Sequence, residues 1–377
     1  MSKIKARMLP QKSYFSPAVF KLHNSEKNMI GITWQRLLRR RCLSVDRIYR
    51  NLLVTICVSL CFICFILFKQ PVKLIHNNCI YCSISKNVLQ DIVHDIYTNG
   101  STTKQIVNPT NVEYIHKPLN MCDMHKGPEF LLVLVKSYAA NIAQRLAIRQ
   151  TWGNISNTHI KVIYLLGYYS VVQKMIDLES YTYKDVLQGH FVDIYDNNMN
   201  KTAMAYQYAV DNCINTQFLF FVDDDFFANI FKIQKYLKTI PYSHKTNLYS
   251  GFIIKYGQPC RNKSSKWYIS REEYPYDIFP TYHAGGAILI SMTVAKLLKT
   301  AFPYVKYIHI DDVYLGIVAM KLDIPLQKEE RFDLFYTPPL RLKNIFASHG
   351  YGDHRQVLKA WDVFLATISI NSFTDLH

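Results

Sequence analysis

The sequence has no internal repeat and no low-complexity tract, so neither a solenoid nor a compositionally biased disordered chain fits it. Acidic residues are scarce: 28 Asp and Glu stand against 44 Lys and Arg, for a formal charge of +16. An excess of that size first suggests an acidic partner such as nucleic acid. Its distribution argues against that class. Residues 1–50 hold twelve Lys or Arg against only Glu26 and Asp46, which supplies +10 and leaves +6 for the much longer remainder. No basic stripe interleaved with aromatics follows residue 70, so no nucleic-acid partner is expected. Cys79-x-x-Cys82 has no second cysteine pair downstream, which removes the usual zinc ligand set. A His and Asp ligand set for two metals is also missing, which weighs against a metal-dependent phosphohydrolase.

What is present is a core-forming composition, 49% hydrophobic and 14% aromatic, over 377 residues. Leu52–Phe68 is uncharged and apolar all round, with Arg47 and Arg50 before it and Lys69 after it. That length and texture predict a membrane-spanning helix rather than an amphipathic core helix. No small-x-small cleavage site follows it, so it reads as an anchor and not as a removable signal. The positive side is N-terminal, which puts residues 1–51 in the cytosol and the rest in the lumen, a type II topology. Residues 69–121 are polar and read as a stem, partly ordered at best; residues 122–377 read as the lumenal domain. Four glycosylation sequons follow the span, at Asn99, Asn154, Asn200 and Asn262. Cys79, Cys82, Cys122, Cys213 and Cys260 also lie beyond it, where disulfides can form. Five is odd, so one thiol is free or bridges two chains, which permits a homodimer without requiring one.

From Glu129 onward buried-strand and helix patterns alternate. Phe130–Val135, Ile160–Leu166 and Phe218–Val222 are continuous apolar runs, as in a parallel sheet covered on both faces. Asn141–Trp152, Val171–Tyr183 and Lys201–Cys213 have helical spacing, and His190–Tyr195 reads as a short strand. The fold class is therefore α/β with a mostly parallel, Rossmann-like sheet, in which ligands bind at the carboxyl ends of strands.

Asp223-Asp224-Asp225 follows one of those strands directly. Adjacent carboxylates repel and cost stability unless a cation neutralises them. Alternate residues of an extended segment point the same way, so Asp223 and Asp225 can share one Mn²⁺ or Mg²⁺. A second pair, Asp311-Asp312, opens a helical segment running to Lys321. It reads either as charge complementing the helix dipole or as a general base, and the two roles are compatible. His349 is either a surface residue or a neutral imidazole ligand for the same metal. Gly285-Gly286 is either a turn between strands or a place where backbone approaches a ligand closely.

Taken together, these segments resemble the β-1,3-galactosyltransferase and β-1,3-N-acetylglucosaminyltransferase family, glycosyltransferase family 31, from about Cys122 to Trp361. FLLVLVKSYAANIAQRLAIRQTWGN follows the family's opening strand and R-x-x-I-R-x-T-W helix, with Arg145, Arg149, Thr151 and Trp152 in register. DIYDNNMNKT places Asp193, Tyr195, Asn197, Lys201 and Thr202, and FVDDDFFANI matches the aspartate block. KWYISREEYP, FPTYHAGGAILIS, IDDVYLG and the pair His349 and Trp361 follow in order. Three departures stand out: Asp311 replaces the usual Glu, Asn198-Met199 replaces Leu-Thr, and Phe221 replaces a Lys. The resemblance implies a GT-A-type fold, a metal-bound UDP-sugar donor, a glycan acceptor on protein or lipid, and residence in the Golgi membrane. It further implies Asp223 and Asp225 as metal ligands with His349, and Arg145, Arg149, Lys201, Asp223 and Asp224 on the donor side. Asp312 is the implied base, with Asp311 as its understudy, and Trp267, Tyr282 and Gly285 fall on the acceptor side. The implied reaction is inverting β-1,3 transfer of galactose or N-acetylglucosamine. The alternative is a glycan-binding or chaperone-like relative of the same fold without activity.

Overall fold

The computed structural model describes residues 84–374 apart from 110, 120, 123–130 and 155–158, together with the isolated helical positions Ile56 and Ser59. The chain divides into two units, residues 1–74 and 75–377. The expected anchor at residues 52–68 falls almost entirely outside the described residues, as do Cys79 and Cys82. No described helix is long and apolar enough to cross a membrane.

In the second unit the chain runs α1 (Lys86–Asn99), β1 (Tyr114–His116), β2 (Leu131–Lys136), α2 (Ile142–Gln150), β3 (Ile160–Tyr168), α3 (Gln173–Tyr183) and β4 (Val186–Val192). It continues through α4 (Asn198–Asn212), β5 (Phe218–Asp223), β6 (Phe226–Ala228), α5 (Ile230–Thr239), β7 (Tyr249–Ile254), β8 (Tyr282–Ser291) and α6 (Met292–Ala301). The last elements are α7 (Asp311–Lys321), β9 (Gln327–Lys328), β10 (Phe332–Asp333), β11 (Ala347–His349) and α8 (His354–Thr374). The main sheet has the order β1-β4-β3-β2-β5-β8-β7-β9. Strands β4, β3, β2 and β5 are parallel neighbours, whereas β8 is antiparallel to both β5 and β7. A small sheet β10-β11-β6 stands beside it. The α/β class with a mostly parallel first half is as expected.

Strand alternation sorts the core into two layers. Leu132 and Leu134 of β2 and Leu219 and Phe221 of β5 join one cluster with α4, α6 and α7. Leu131, Val133 and Val135 join the opposite cluster with Phe218, Phe220, Val222, Ala147 of α2 and Val357 of α8. Because side chains alternate, the next position on each strand's first face is Lys136 on β2 and Asp223 on β5. The register pairs these two residues directly, at the carboxyl ends of both strands.

The stretch expected to be stem differs from that reading. Ser85 caps α1 by accepting from the Val88 amide, and Gly100 ends it in the left-handed region at φ 74°. Leu89, Ile92 and Val93 are buried in the first core layer, and β1 pairs with β4. The helix Lys86–Asn99 and the strand Tyr114–His116 therefore belong to the folded domain. Few apolar residues are needed when a helix buries only one narrow stripe, which is why the segment looked polar. A disulfide joins Cys122 to Cys213, and Cys260 is outside any disulfide. The short strand expected at His190–Tyr195 begins earlier, at Val186.

Candidate active site

At the carboxyl ends of β2 and β5 lies a cleft of about 480 Å³ lined by Lys136, Tyr195, Lys201, Lys266 and the three aspartates 223–225, among others. The three aspartates are not equivalent. Asp224 turns inward: its Oδ2 accepts from Ser137 Oγ at 2.6 Å and from Asn141 Nδ2 at 3.0 Å. It anchors the turn, and burial pushes its carboxyl up against those two donors. Asp223 and Asp225 face the cleft. Burial, opposed by Lys136 and reinforced by Asp225 and Asp311, pushes the Asp223 carboxyl up to about 6. Asp225 Oδ1 is shielded from solvent and accepts no hydrogen bond, while its Oδ2 lies 3.2 Å from His349 Nε2. His349 arrives from β11, which pairs with β6 so that His349 stands opposite Phe226.

These donors suit a hard divalent ion. Mg²⁺ and Mn²⁺ commonly use one or two carboxylates and fill their shell with substrate phosphates and water. An orphaned carboxylate oxygen beside a half-exposed imidazole is such an open half-shell. Among the described residues no group of three or more His, Cys, Asp or Glu side chains is placed to hold a metal ion by itself. The donor set thus fits an ion completed by a ligand rather than a structural metal centre.

The acid pair opens α7 on the same sheet face. Asp311 is tied down: its Oδ2 accepts from Thr202 Oγ1 at 2.6 Å and from Lys136 Nζ at 3.2 Å. Burial works against its charge, yet Lys136 and the Thr202 hydroxyl hold it below the usual carboxylate value. Asp312 has the opposite fate. Its oxygens accept only from backbone, the Gly285 amide at 3.1 Å and the Val313 amide at 2.7 Å. Burial and the neighbouring Asp311 push it up to about 7, against Lys136 and the two amides. Two adjacent carboxylates with values driven apart are a sign of divided acid–base roles. Gly285 and Gly286 lie inside β8 and not in a turn. A Cβ on Gly285 would meet Asp312 Cβ at 3.1 Å, and one on Gly286 would overlap the Phe226 ring. The glycines let Asp312 and the aspartate turn close on β8.

Other expected site residues are placed elsewhere. Arg145 is fully buried, with Nε and Nη2 on Glu179 at 2.8 and 2.7 Å and further bonds to the carbonyls of Tyr138 and Ala139. Arg149 pairs with Asp185 at 2.7 Å and is stacked between the rings of Tyr164 and Tyr183, each 4.2 Å away. Both arginines hold α2 to α3 and β3 and are spent on the fold rather than on a donor. Lys201 does line the cleft, but its Nζ is held by Asp193 and by the Ser137 carbonyl, both at 2.7 Å. Tyr282 is buried, packed where Gly257 and Gly316 leave room. Trp267 is 54% exposed, with Lys266 Nζ 4.8 Å from its ring and 5.6 Å from that of Tyr195. Of the three residues expected on the acceptor side, Trp267 is the most exposed. Phe221, where the family has Lys, stacks on Tyr206 at 4.8 Å inside the core. Lys136 and Thr202 were not identified from sequence as site residues. The available signal was a charge ending a fully apolar strand next to a strand ending in Asp.

The sequence of this domain has relatives. The galactosyltransferase family model matches residues 143–330. The chain is 36% identical over 242 residues to the Drosophila melanogaster protein Beta-1,3-galactosyltransferase brn, covering 62% of this chain and 74% of that one. Homo sapiens Beta-1,3-galactosyltransferase 5 is 31% identical over 249 residues, covering 63% and 79%, and Mus musculus Beta-1,3-galactosyltransferase 1 is 29% identical over 233 residues, covering 60% and 71%. The matched span includes the aspartate turn on β5, both glycines of β8 and the acid pair on α7. The chain therefore belongs to the β-1,3-galactosyltransferase family, glycosyltransferase family 31, and it is a glycosyltransferase.

Proposed function

We propose that the protein is an inverting β-1,3-hexosyltransferase that moves galactose, or N-acetylglucosamine, from a UDP-sugar to a glycan on protein or lipid, with a GT-A-type site. The observation that carries this reading is the pairing of an open carboxylate half-shell at Asp223 and Asp225 with a raised, backbone-held Asp312 on the same sheet face. Asp223, Asp225 and His349 would hold Mn²⁺ or Mg²⁺, which when bound supplies positive charge to a diphosphate leaving group. Asp312 takes the proton from the acceptor 3-hydroxyl. The freed oxygen forms a bond to the anomeric carbon while the bond from that carbon to UDP breaks on the opposite side. One displacement converts an α-linked donor to a β linkage. Trp267 presents an exposed ring on which an acceptor sugar can stack. The retained acid pair and aspartate turn weigh against the inactive glycan-binding alternative.

In this reading the enzyme is a single-pass type II Golgi membrane protein, supported by the apolar run 52–68 and its basic flank. The test is transfer by the full chain in detergent from several UDP-sugars with added Mn²⁺, beside Asp312→Asn. The reading requires product with the wild type and a loss of about 10²–10⁴-fold in the variant. Normal turnover by Asp312→Asn would remove the base assignment.

A further inference from the structure

The base-bearing helix and the aspartate turn lie more than eighty residues apart in the sequence, and one side chain joins them. Lys136 Nζ lies 3.2 Å from Asp223 Oδ1 and 3.2 Å from Asp311 Oδ2. The side chain is 11% exposed. An ammonium this far from water is costly unless paired, and a methionine would fill the same space without that cost. It sits at the junction of the two carboxylate groups.

We propose that Lys136 is a positioning residue for sugar transfer, binding Asp311 at the head of α7 to Asp223 at the end of β5 so that Asp312 alone is left to take the acceptor's proton. The inference rests on the glycosyltransferase reading above. Lys136 acts through Asp311, because Asp312 is held by the Gly285 and Val313 amides. With Lys136 present, Asp311 stays charged and immobile between ammonium and Thr202 hydroxyl. Without it, Asp311 and Asp312 stand side by side uncompensated, and a proton shared between them is held where the acceptor needs a free base.

The experiment uses the full chain in detergent and compares wild type, Lys136→Met, Asp311→Asn and the double variant. Transfer gives kcat and donor KM, and calorimetry gives the affinity for UDP with Mn²⁺. Lys136→Met is expected to lower kcat about a hundredfold. Donor KM and UDP affinity should stay within about threefold of wild type. Once Asp311 is neutral the acid pair no longer needs the lysine to keep its two members apart, so the double variant should turn over no slower than Asp311→Asn alone. A Lys136→Met kcat near wild type overturns the inference. So does a selective loss of UDP affinity, which would make Lys136 a donor ligand, or a multiplicative loss in the double variant. Should Lys136→Met fail to fold by near-ultraviolet circular dichroism, the neutral pair in the double variant still decides against Asp311→Asn. A wild-type chain that transfers no sugar refutes the function itself, and this inference with it, whereas an active wild type with an unaffected Lys136→Met refutes the inference alone.

Discussion

Asp311 and Asp312 are chemically identical and adjacent, yet their surroundings drive them in opposite directions. Asp311 has a cation and a hydroxyl; Asp312 has two amides and a charged neighbour. The pH consequences of Asp312 have a definite sign. As the proposed base it works unprotonated, so kcat should rise with pH through about 7. Stability moves the other way. The folded carboxyl titrates at about 7 against 3.8 in a free side chain, so between those values the folded chain binds more protons. Its contribution is whole below 3.8 and is lost as pH rises through about 7. Asp312→Asn should therefore melt above wild type at pH 8, with the gap closing by about pH 4, in thermal scans with chelator. A gap that is the same at both pH values would show that Asp312 is not a strained acid. Sequence patterns drew attention to this pair and the aspartate turn because their residue types are unusual where they stand. They failed for Arg145 and Arg149, because a guanidinium fork recognises a protein carboxylate as readily as a phosphate. Arg145→Met should thus destabilise the protein in urea, by about 1–3 kcal/mol, because Glu179 stays buried with Arg149 as its remaining ion-pair partner at 2.7 Å. Donor affinity of the folded protein should not change; lost affinity at unchanged stability would restore the donor role.

At the level of elements, most strands and helices were legible because their apolar runs are long and their periods clear. Helix α7 matches its expected limits, Asp311 and Lys321. What sequence did not show was register. The pairing of Lys136 with Asp223 depends on two strands separated by more than eighty residues and on which face each side chain takes. The stem boundary failed for a related reason. Helix α1 contributes only Leu89, Ile92 and Val93 to the core, too few to stand out among polar neighbours. Its contacts run to the end of α7: Lys86 and Gln90 bond Asp323 at 2.6 and 2.9 Å, and Lys321 Nζ bonds the Ile84 carbonyl at 2.6 Å. A secreted fragment starting at residue 80 should unfold cooperatively. One starting at residue 101 should lose several kcal/mol, about 1.5–3 for each large side chain removed from the core. Equal midpoints in urea would return residues 86–100 to the stem. The Cys122–Cys213 bridge closes a loop of 91 residues and ties β1's flank to the end of α4. Replacing both cysteines by serine should cost about 2–5 kcal/mol, read by the same denaturation.

For the molecule as a whole, the strand-end cleft, the acid pair and the family's sequence blocks converge on one chemistry. The sequons at Asn99, Asn154 and Asn262 start at exposed asparagines, whereas Asn200 lies in α4 beside the buried Lys201 and Thr202. The central claim is a UDP-sugar transfer that depends on the open carboxylate half-shell and on Asp312. The most direct measurement is UDP release and glycan product from the full chain in detergent, offered UDP-galactose and UDP-N-acetylglucosamine with mixed glycan acceptors, with Mn²⁺ or with chelator. The account predicts Mn²⁺-dependent transfer from one donor, lost on chelation and lost again in Asp312→Asn. No transfer from either donor by a folded chain, or transfer indifferent to chelator and to Asp312→Asn, would contradict it.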